Sequence, residues 1–361
     1  MKKYNIGEWS EIYTFLKLLS DGVIHAADMN LEVLPDIYYP IISIIRKERE
    51  SELSFNRNSK IKILESSSGE VVLEIPIKKF KDSSIRLLSA IKNTDKTVFS
   101  VPEVEKFLKG IRISKIKAPS TEKHDITLIV HDFRTGLKPT LNMSIKSMLG
   151  SPSTLLNPGK ATNFIYRIEK GNFTEKDSKD VNYIQEGNKI ILKMKTIVDT
   201  GSVLSFENIE SKTFQNNLQM IDSNLPKILA EIIKYRYLFN HKSLRILTEK
   251  IEDDDPLNLY GNENLGFYTH KMKALLLAIA LGMTPSTKWD GIYSATGGYI
   301  IVKPDGDLVI YHIYNINEFQ DYLLENTSLD TPSTTRYKYA DVYKDGQKFK
   351  IKLNLQIRFN S

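Results

Sequence analysis

A chain of 361 residues, 41% of them hydrophobic, is long enough for one large domain or two to three smaller ones, each with a real core. The absence of cysteine excludes disulfides and thiolate zinc sites, and six scattered histidines form no HxH or HxxxH metal pair. A net charge of +6 and a pI near 9.0 suit a polyanionic partner without specifying one, and no apolar run is long enough to span a membrane. With no apolar signal segment after Met1-Lys2-Lys3, the chain reads as soluble and cytoplasmic, with no membrane contact.

The predicted elements give a mixed α/β (α+β) fold with no internal repeat. Glu8 to Leu19 has helical periodicity, and a short helical piece is expected around Tyr39 to Arg49. Strands follow near Ile61–Leu64 and Val71–Ile75, then helices over Ile85–Ile91 and Pro102–Leu108. A β-hairpin occupies the 120s to 140s, with further strands near Thr162–Ile168 and Ile190–Lys193. A helical region runs from about Phe206 to Leu281, with apolar repeats in Leu225–Phe239 and Lys271–Leu281. The acidic run Glu252-Asp253-Asp254-Asp255 lacks the turn glycine and terminal glutamate of a calcium loop and reads as a solvated linker. The last seventy residues alternate strand and turn: Gly298–Val302, Leu308–Tyr314 and Phe349–Phe359. This gives a three-part division into 1–200, a central helical 201–285 and a β-rich 286–361.

The hairpin carries the chemistry. Its first strand, Lys123-His124-Asp125-Ile126-Thr127-Leu128-Ile129-Val130, and its second, Leu141-Asn142-Met143-Ser144-Ile145-Lys146-Ser147, are joined through a break at Arg134-Thr135-Gly136 and Pro139. An acid at the start of one strand and a lysine late in its partner is the layout that metal-dependent nucleases use. There the carboxylate holds a hard cation, and the lysine stands beside the attacking water. Side-chain alternation puts Lys146 on one face with Ser144, where such enzymes usually carry a second acid. Taken alone, a surface acid and a solvated lysine are the plainer account of the pair. The loop after the hairpin, with Ser147, Ser151 and Thr154 around glycine and proline, can approach a phosphate closely or be a plain turn. Asp132 sits where the strand turns and reads as a bystander whose replacement should be tolerated.

The missing carboxylate is sought on the first helix. At 100° per residue Ile12, Phe15, Leu16 and Leu19 form one arc; Glu8 falls inside it and Glu11 on its border. A carboxylate on a core-facing side needs a cation or donors to satisfy it. Preference of acids for a helix N-terminus is the simpler account, and it suits Glu8 better than Glu11. At the chain end, Leu353, Leu355, Ile357 and Phe359 alternate with Asn354, Gln356 and Arg358, a strand whose polar face could read base edges or merely be solvated.

Three blocks resemble the HpaII-type restriction endonucleases. They are Gly7-Glu8-Trp9-Ser10-Glu11-Ile12-Tyr13, the segment from Ser144-Ile145-Lys146-Ser147 through Thr154-Leu155-Leu156-Asn157, and Lys352-Leu353-Asn354-Leu355-Gln356-Ile357-Arg358-Phe359. The resemblance implies a type II restriction endonuclease with a PD-(D/E)XK nuclease core. It implies magnesium as cofactor, double-stranded DNA as substrate, CCGG as the site and a DNA methyltransferase as genetic partner. Asp125 and Lys146 match the acid and lysine, and Gly7 and Glu11 match a Gly-x-x-x-Glu pattern. Glu11 is then the first choice for second metal ligand and Glu8 the second, because Ser144 departs from the family pattern. Ser147, Ser151, Thr154, Asn157, Asn354, Gln356 and Arg358 are candidates for DNA contact. The first 200 residues would be the nuclease core and 286–361 the recognition region. A repair or nicking endonuclease on the same core and a DNA-binding protein with a decayed site are the rivals. Homodimer and monomer stay open. No Gly-x-x-x-x-Gly-Lys-Ser/Thr loop is present, so no nucleotide cofactor is expected.

Overall fold

The computed structural model describes residues 3–48, 51–116, 124–259, 265–293 and 297–360; Lys123 and Arg49 lie outside them. The chain forms two compact units: Met1–Ser153 with Ser294–Tyr322 and Ser361, and Thr154–Tyr293 with Leu323–Asn360. This division differs from sequence boundaries at 200 and 285, and long-range strand pairing is the reason. A hairpin from the β-rich end completes the sheet of the first unit, while the last strands complete the second.

In the first unit, α1 (Ile6–Asp21) begins at Asn5, whose side chain and backbone form a capping box with Glu8. It ends at Gly22, which adopts φ +77° beside the Arg57 side chain that bonds the Leu19 carbonyl at 2.9 Å. The following strands are β1 (Val23–Ala27), β2 (Val33–Lys47), β3 (Glu52–Arg57), β4 (Ile61–Glu65) and β5 (Val71–Ile75). After α2 (Ile77–Lys92) and α3 (Pro102–Gly110) come β6 (Ile126–Val130), β7 (Thr140–Ser147), β8 (Gly298–Val302) and β9 (Leu308–His312). The strand order is β1-β9-β8-β7-β6-β2-β3-β4-β5, and β1 also pairs with the first half of β2, so six strands close on themselves. The pairs β8–β7 and β9–β1 are parallel.

The helix expected at Tyr39 to Arg49 is part of β2. Its Ile41-Ile42-Ser43-Ile44-Ile45 run fits either period over so short a window, and β-branched side chains favour the pleated surface that β6 and β3 provide. Over this sheet α1 buries Trp9, Ile12, Phe15, Leu16 and Leu19, each worth roughly 1.5–3 kcal/mol. Phe15 meets the Phe55 ring edge-on at 4.9 Å.

Away from the hairpin's charged end, a polar knot closes the sheet. Arg134 bonds Tyr39 Oη at 2.8 Å and Asn315 Oδ1 at 2.9 Å, and its backbone N–H donates to Asp132 Oδ1 at 3.0 Å. Asp132 is buried, so the turn acid is a structural member of this knot and not a dispensable bystander. His312 is also buried, 5.7 Å from the Tyr39 ring and 4.4 Å from the Tyr314 ring, and its Nδ1 accepts the Tyr314 N–H at 3.1 Å. Burial pushes its pKa down to about 4, against the pull of Asp132 and with help from Arg134. Below the ordinary histidine value the unfolded chain therefore binds a proton that the native state refuses. The contribution is full above about pH 6.5 and falls as pH drops towards 4; at pH 5 the loss is about 2 kcal/mol. Urea unfolding at pH 8 and pH 5 should show this loss in the wild type and a smaller one in His312→Gln.

The second unit holds a four-stranded antiparallel sheet ordered Val203–Ile209, Asn163–Glu169, Lys348–Asn354, Val342–Asp345. A three-stranded sheet has Ile357–Phe359 between Thr154–Leu156 and Thr327–Leu329. Helices pack around them, among them α4 (Lys189–Asp199) and α5 (Leu225–Leu238). The strand expected at Ile190–Lys193 is the start of α4, because Ile190, Lys193, Met194 and Ile197 are its buried face, at helical spacing. Residues 203–209, the expected start of the helical region, pair with Asn163–Glu169 as a strand. The acidic run is knit in rather than solvated: buried Glu252 accepts the Thr269 N–H at 2.8 Å, and Asp254 pairs with Lys250 at 2.8 Å. The strand expected at Phe349–Phe359 is two strands, and the chain changes sheet at Leu355-Gln356. The expected strand over Leu308–Tyr314 stops at His312, and a helix, Ile316–Glu325, interrupts the alternation of strand and turn.

Candidate active site

The antiparallel ladder of β6 and β7 runs from Ile129↔Thr140 to Ile126↔Met143 and then breaks at Asp125. Asp125 donates its N–H to the Met143 carbonyl at 2.9 Å, and its Oδ2 accepts the Ile145 N–H at 2.7 Å. The carboxylate is thereby fixed one residue before Lys146, and the bond engages one of its two oxygens. Just inside the ladder, Thr127 Oγ1 lies 3.0 Å from Asn142 Oδ1, on the face Asn142 shares with Ser144 and Lys146.

Lys146 is partly buried, and its ammonium lies 5.0 Å from the centre of the Tyr299 ring. Desolvation lowers its pKa; Asp125 and Glu11 act in the opposite sense by favouring the charged form. Two carboxylates from separate elements, the helix and the hairpin, thus converge electrostatically on one lysine. Glu11 is drawn in by α1, whose Ser10 Oγ lies 2.8 Å from Ser147 Oγ, next to Lys146. It also acts on partly buried Arg46, whose pKa desolvation lowers while Glu48 and Glu11 support its charge.

Glu8 is placed differently. Its carboxylate accepts the Asn5 N–H at 2.9 Å in the capping box, which is the helix-terminus role. Ser144 is buried on β7 opposite Tyr299 of β8 and brings no charge. The carboxylates that favour the charged form of Lys146 are therefore Asp125 and Glu11. Oxygen donors without histidine or thiol fit a hard divalent cation, which accepts one or two carboxylates and keeps several waters. Among the described residues no group of three His, Cys, Asp or Glu side chains converges in a metal-binding array, so such an ion would have only these two protein carboxylates.

Sequence reasoning missed Tyr299 and Arg46. Tyr299 stands on a strand that was expected, but nothing local reveals that this strand lies parallel to β7, about 150 residues earlier, in the register Tyr299↔Ser144 and Ile301↔Lys146. Gly298, at φ +105°, makes the pairing with β9 possible: a Cβ there would fall 2.0 Å from the Tyr311 carbonyl oxygen.

The candidate DNA-contacting residues divide between the units. In the first, Ser147 Oγ is engaged by Ser10 and by the Leu149 N–H at 3.2 Å, while Ser151 is exposed. In the second, Thr154 faces Arg358 across the sheet, and Asn157 is exposed. Arg358 pairs with Asp330 at 3.1 Å and keeps about a third of its side-chain surface in solvent (33%). Asn354 is buried, with Nδ2 donating to the Gly159 carbonyl at 2.7 Å and to Asn163 Oδ1 at 2.6 Å; Gln356 is buried as well. The polar face of the alternating run is therefore not an open strand face.

The model of the HpaII restriction endonuclease family matches residues 5–359. The chain is 43% identical over 363 residues to the type II restriction enzyme HpaII of Haemophilus parainfluenzae, an alignment covering 98% of each protein. No solved structure matches it. With a match from end to end and 43% identity over 98% of its length, the chain belongs to the HpaII restriction endonuclease family.

Proposed function

We propose that this type II restriction endonuclease hydrolyses both strands of duplex DNA at a short palindromic site, with Asp125 and Glu11 as carboxylate ligands of a divalent ion and Lys146 beside the attacking water. The observation that carries this reading is the placement of the Lys146 ammonium under the influence of both carboxylates. The break in the β6–β7 ladder, with Asp125 fixed by the Ile145 N–H, supports a PD-(D/E)XK arrangement. Magnesium is the ion, CCGG the site and a DNA methyltransferase the genetic partner that the resemblance implies. When bound, such an ion supplies Lewis acidity, neutralising charge on the phosphate and making water more acidic.

The chain's own groups do the rest. Asp125 and Glu11 lower the cost of bringing positive charge into a partly dry site. Lys146, held against the Tyr299 ring, donates hydrogen bonds that orient the attacking water, and burial, which lowers its pKa, brings the neutral amine that can take a proton within easier reach. Attack in line at phosphorus leaves a phosphate on one end and a hydroxyl on the other. Digestion of a plasmid of known sequence with magnesium tests this directly. Double-strand ends mapping to one palindrome are expected; no cutting, or cutting of one strand, would overturn it.

Base reading is assigned chiefly to Arg358. Its guanidinium can exchange Asp330 for a guanine edge, a contact worth roughly 1–3 kcal/mol. Arg358→Ala should weaken cognate binding about tenfold or more, leave random duplex almost unaffected and keep the salt dependence. Equal weakening of both, with the salt slope lowered by about one unit, would make it a phosphate anchor instead. Asn354→Ala should cost stability and not specificity, since its amide is consumed inside the fold.

A further inference from the structure

In the second unit, a cavity of about 520 Å³ opens against the start of α4. Residues 187–191 line one side, and Arg236, Lys242 and residues 331–335 line the other. The helix starts at Asn188 with no side-chain cap and no acid in its first turn, so its first amides have no acceptor within the helix. Arg236, on α5, is 4% exposed, and its Nε and Nη1 have no hydrogen-bond partner among the described residues. A guanidinium taken out of water without acceptors is costly unless something anionic meets it. No carboxylate lines the cavity. The acid that acts on Arg236 is Asp330, which is ion-paired with Arg358.

An adjoining cavity of the same size shares Lys189, Thr334 and Thr335 but differs in charge. There Lys193 is matched by Asp341 at 2.5 Å and Lys352 by Glu210 at 3.1 Å. In the Arg236 cavity no carboxylate meets Arg236, and the uncapped start of α4 adds backbone donors beside it. That combination is what a tetrahedral anion needs: fixed N–H groups, a helix dipole and a planar donor fork.

We propose that this cavity is a phosphate site, in which Arg236, Lys189, Lys242 and the α4 N-terminus grip a backbone phosphate of duplex DNA. The source of the phosphate rests on the nuclease reading; the chemistry of the site does not. It serves affinity without sequence information.

The test uses the full-length protein, a cognate duplex, a random-sequence duplex and inorganic phosphate. Arg236→Gln should weaken both duplexes about tenfold and lower the slope of log affinity against log salt by about one unit. Because Arg236 is buried, the double variant Lys189→Gln/Lys242→Gln provides the check that does not touch the core, with a slope lower by about two units. Phosphate should raise the unfolding temperature of the wild type and not of Arg236→Gln. Unchanged duplex binding in the lysine variant, with phosphate still stabilising the wild type alone, would overturn DNA as the source and assign a free phosphate. No phosphate effect together with unchanged duplex binding would remove the site altogether. If the wild type cuts one palindrome while the variants bind both duplexes normally, the DNA role of this cavity fails and the nuclease reading stands.

Discussion

Replacing Lys146 with alanine is expected to lower the cleavage rate by about a thousandfold or more while leaving cognate duplex binding within a few fold, given the 10²–10⁴ typical of a positioned acid–base group. The side chain touches the Tyr299 ring and faces Asp125 and Glu11, so its loss removes the cation from the reacting face without disturbing base contacts. Lys146→Arg keeps the charge and should recover little, because a guanidinium does not give up a proton near neutral pH. Asp125→Ala should be as severe. It also releases the Ile145 N–H, so Asp125→Asn, which preserves an acceptor for that bond, separates the ligand role from the structural one. Single-turnover cleavage and filter binding on the same preparations give both quantities. Near wild-type cutting by Asp125→Asn would displace the assignment.

Glu11→Gln should lose most activity, about a hundredfold or more, whereas Glu8→Gln should cut at close to the wild-type rate. The two positions lie one helical turn apart and diverge in what they meet. Glu8 closes the capping box with Asn5, and glutamine keeps an acceptor for the Asn5 N–H, so stability should change little. Glu11 reaches the electrostatic neighbourhood of Lys146 and Arg46. Raising the magnesium concentration should partly restore Glu11→Gln and do nothing for Glu8→Gln. The reverse order of activities would transfer the ligand role to Glu8.

Local patterns carried much of this architecture. Helical periodicity located α1, and β-branched runs located β4, β5 and both hairpin strands, since each depends on neighbours a few residues away. The Ile41–Ile45 and Ile190–Lys193 segments were ambiguous because a short apolar run satisfies either period, and only the partner strand or the buried i, i+4 row decides. At the active site Asp125, Lys146 and Glu11 could be singled out from residue type and family pattern. Their approach to one another, and the Tyr299 ring beneath the lysine, follow from pairings far apart in the chain. The chain-end residues show the opposite failure. Alternation suggested an open polar face, but a change of sheet after Asn354 turned two of its three polar groups inward.

The parallel pairing of β7 with β8 also sets a schedule for biosynthesis. Lys146 leaves the ribosome about 150 residues before Tyr299, and at about 5–20 residues per second that interval is roughly 8–30 seconds. Until the late hairpin emerges, β7 has one open edge and the lysine has no aromatic ring beside it. A nascent chain therefore cannot bring the lysine against that ring early, however soon α1 and the first hairpin fold. Completion of the sheet around Lys146 is thereby deferred until most of the polypeptide exists.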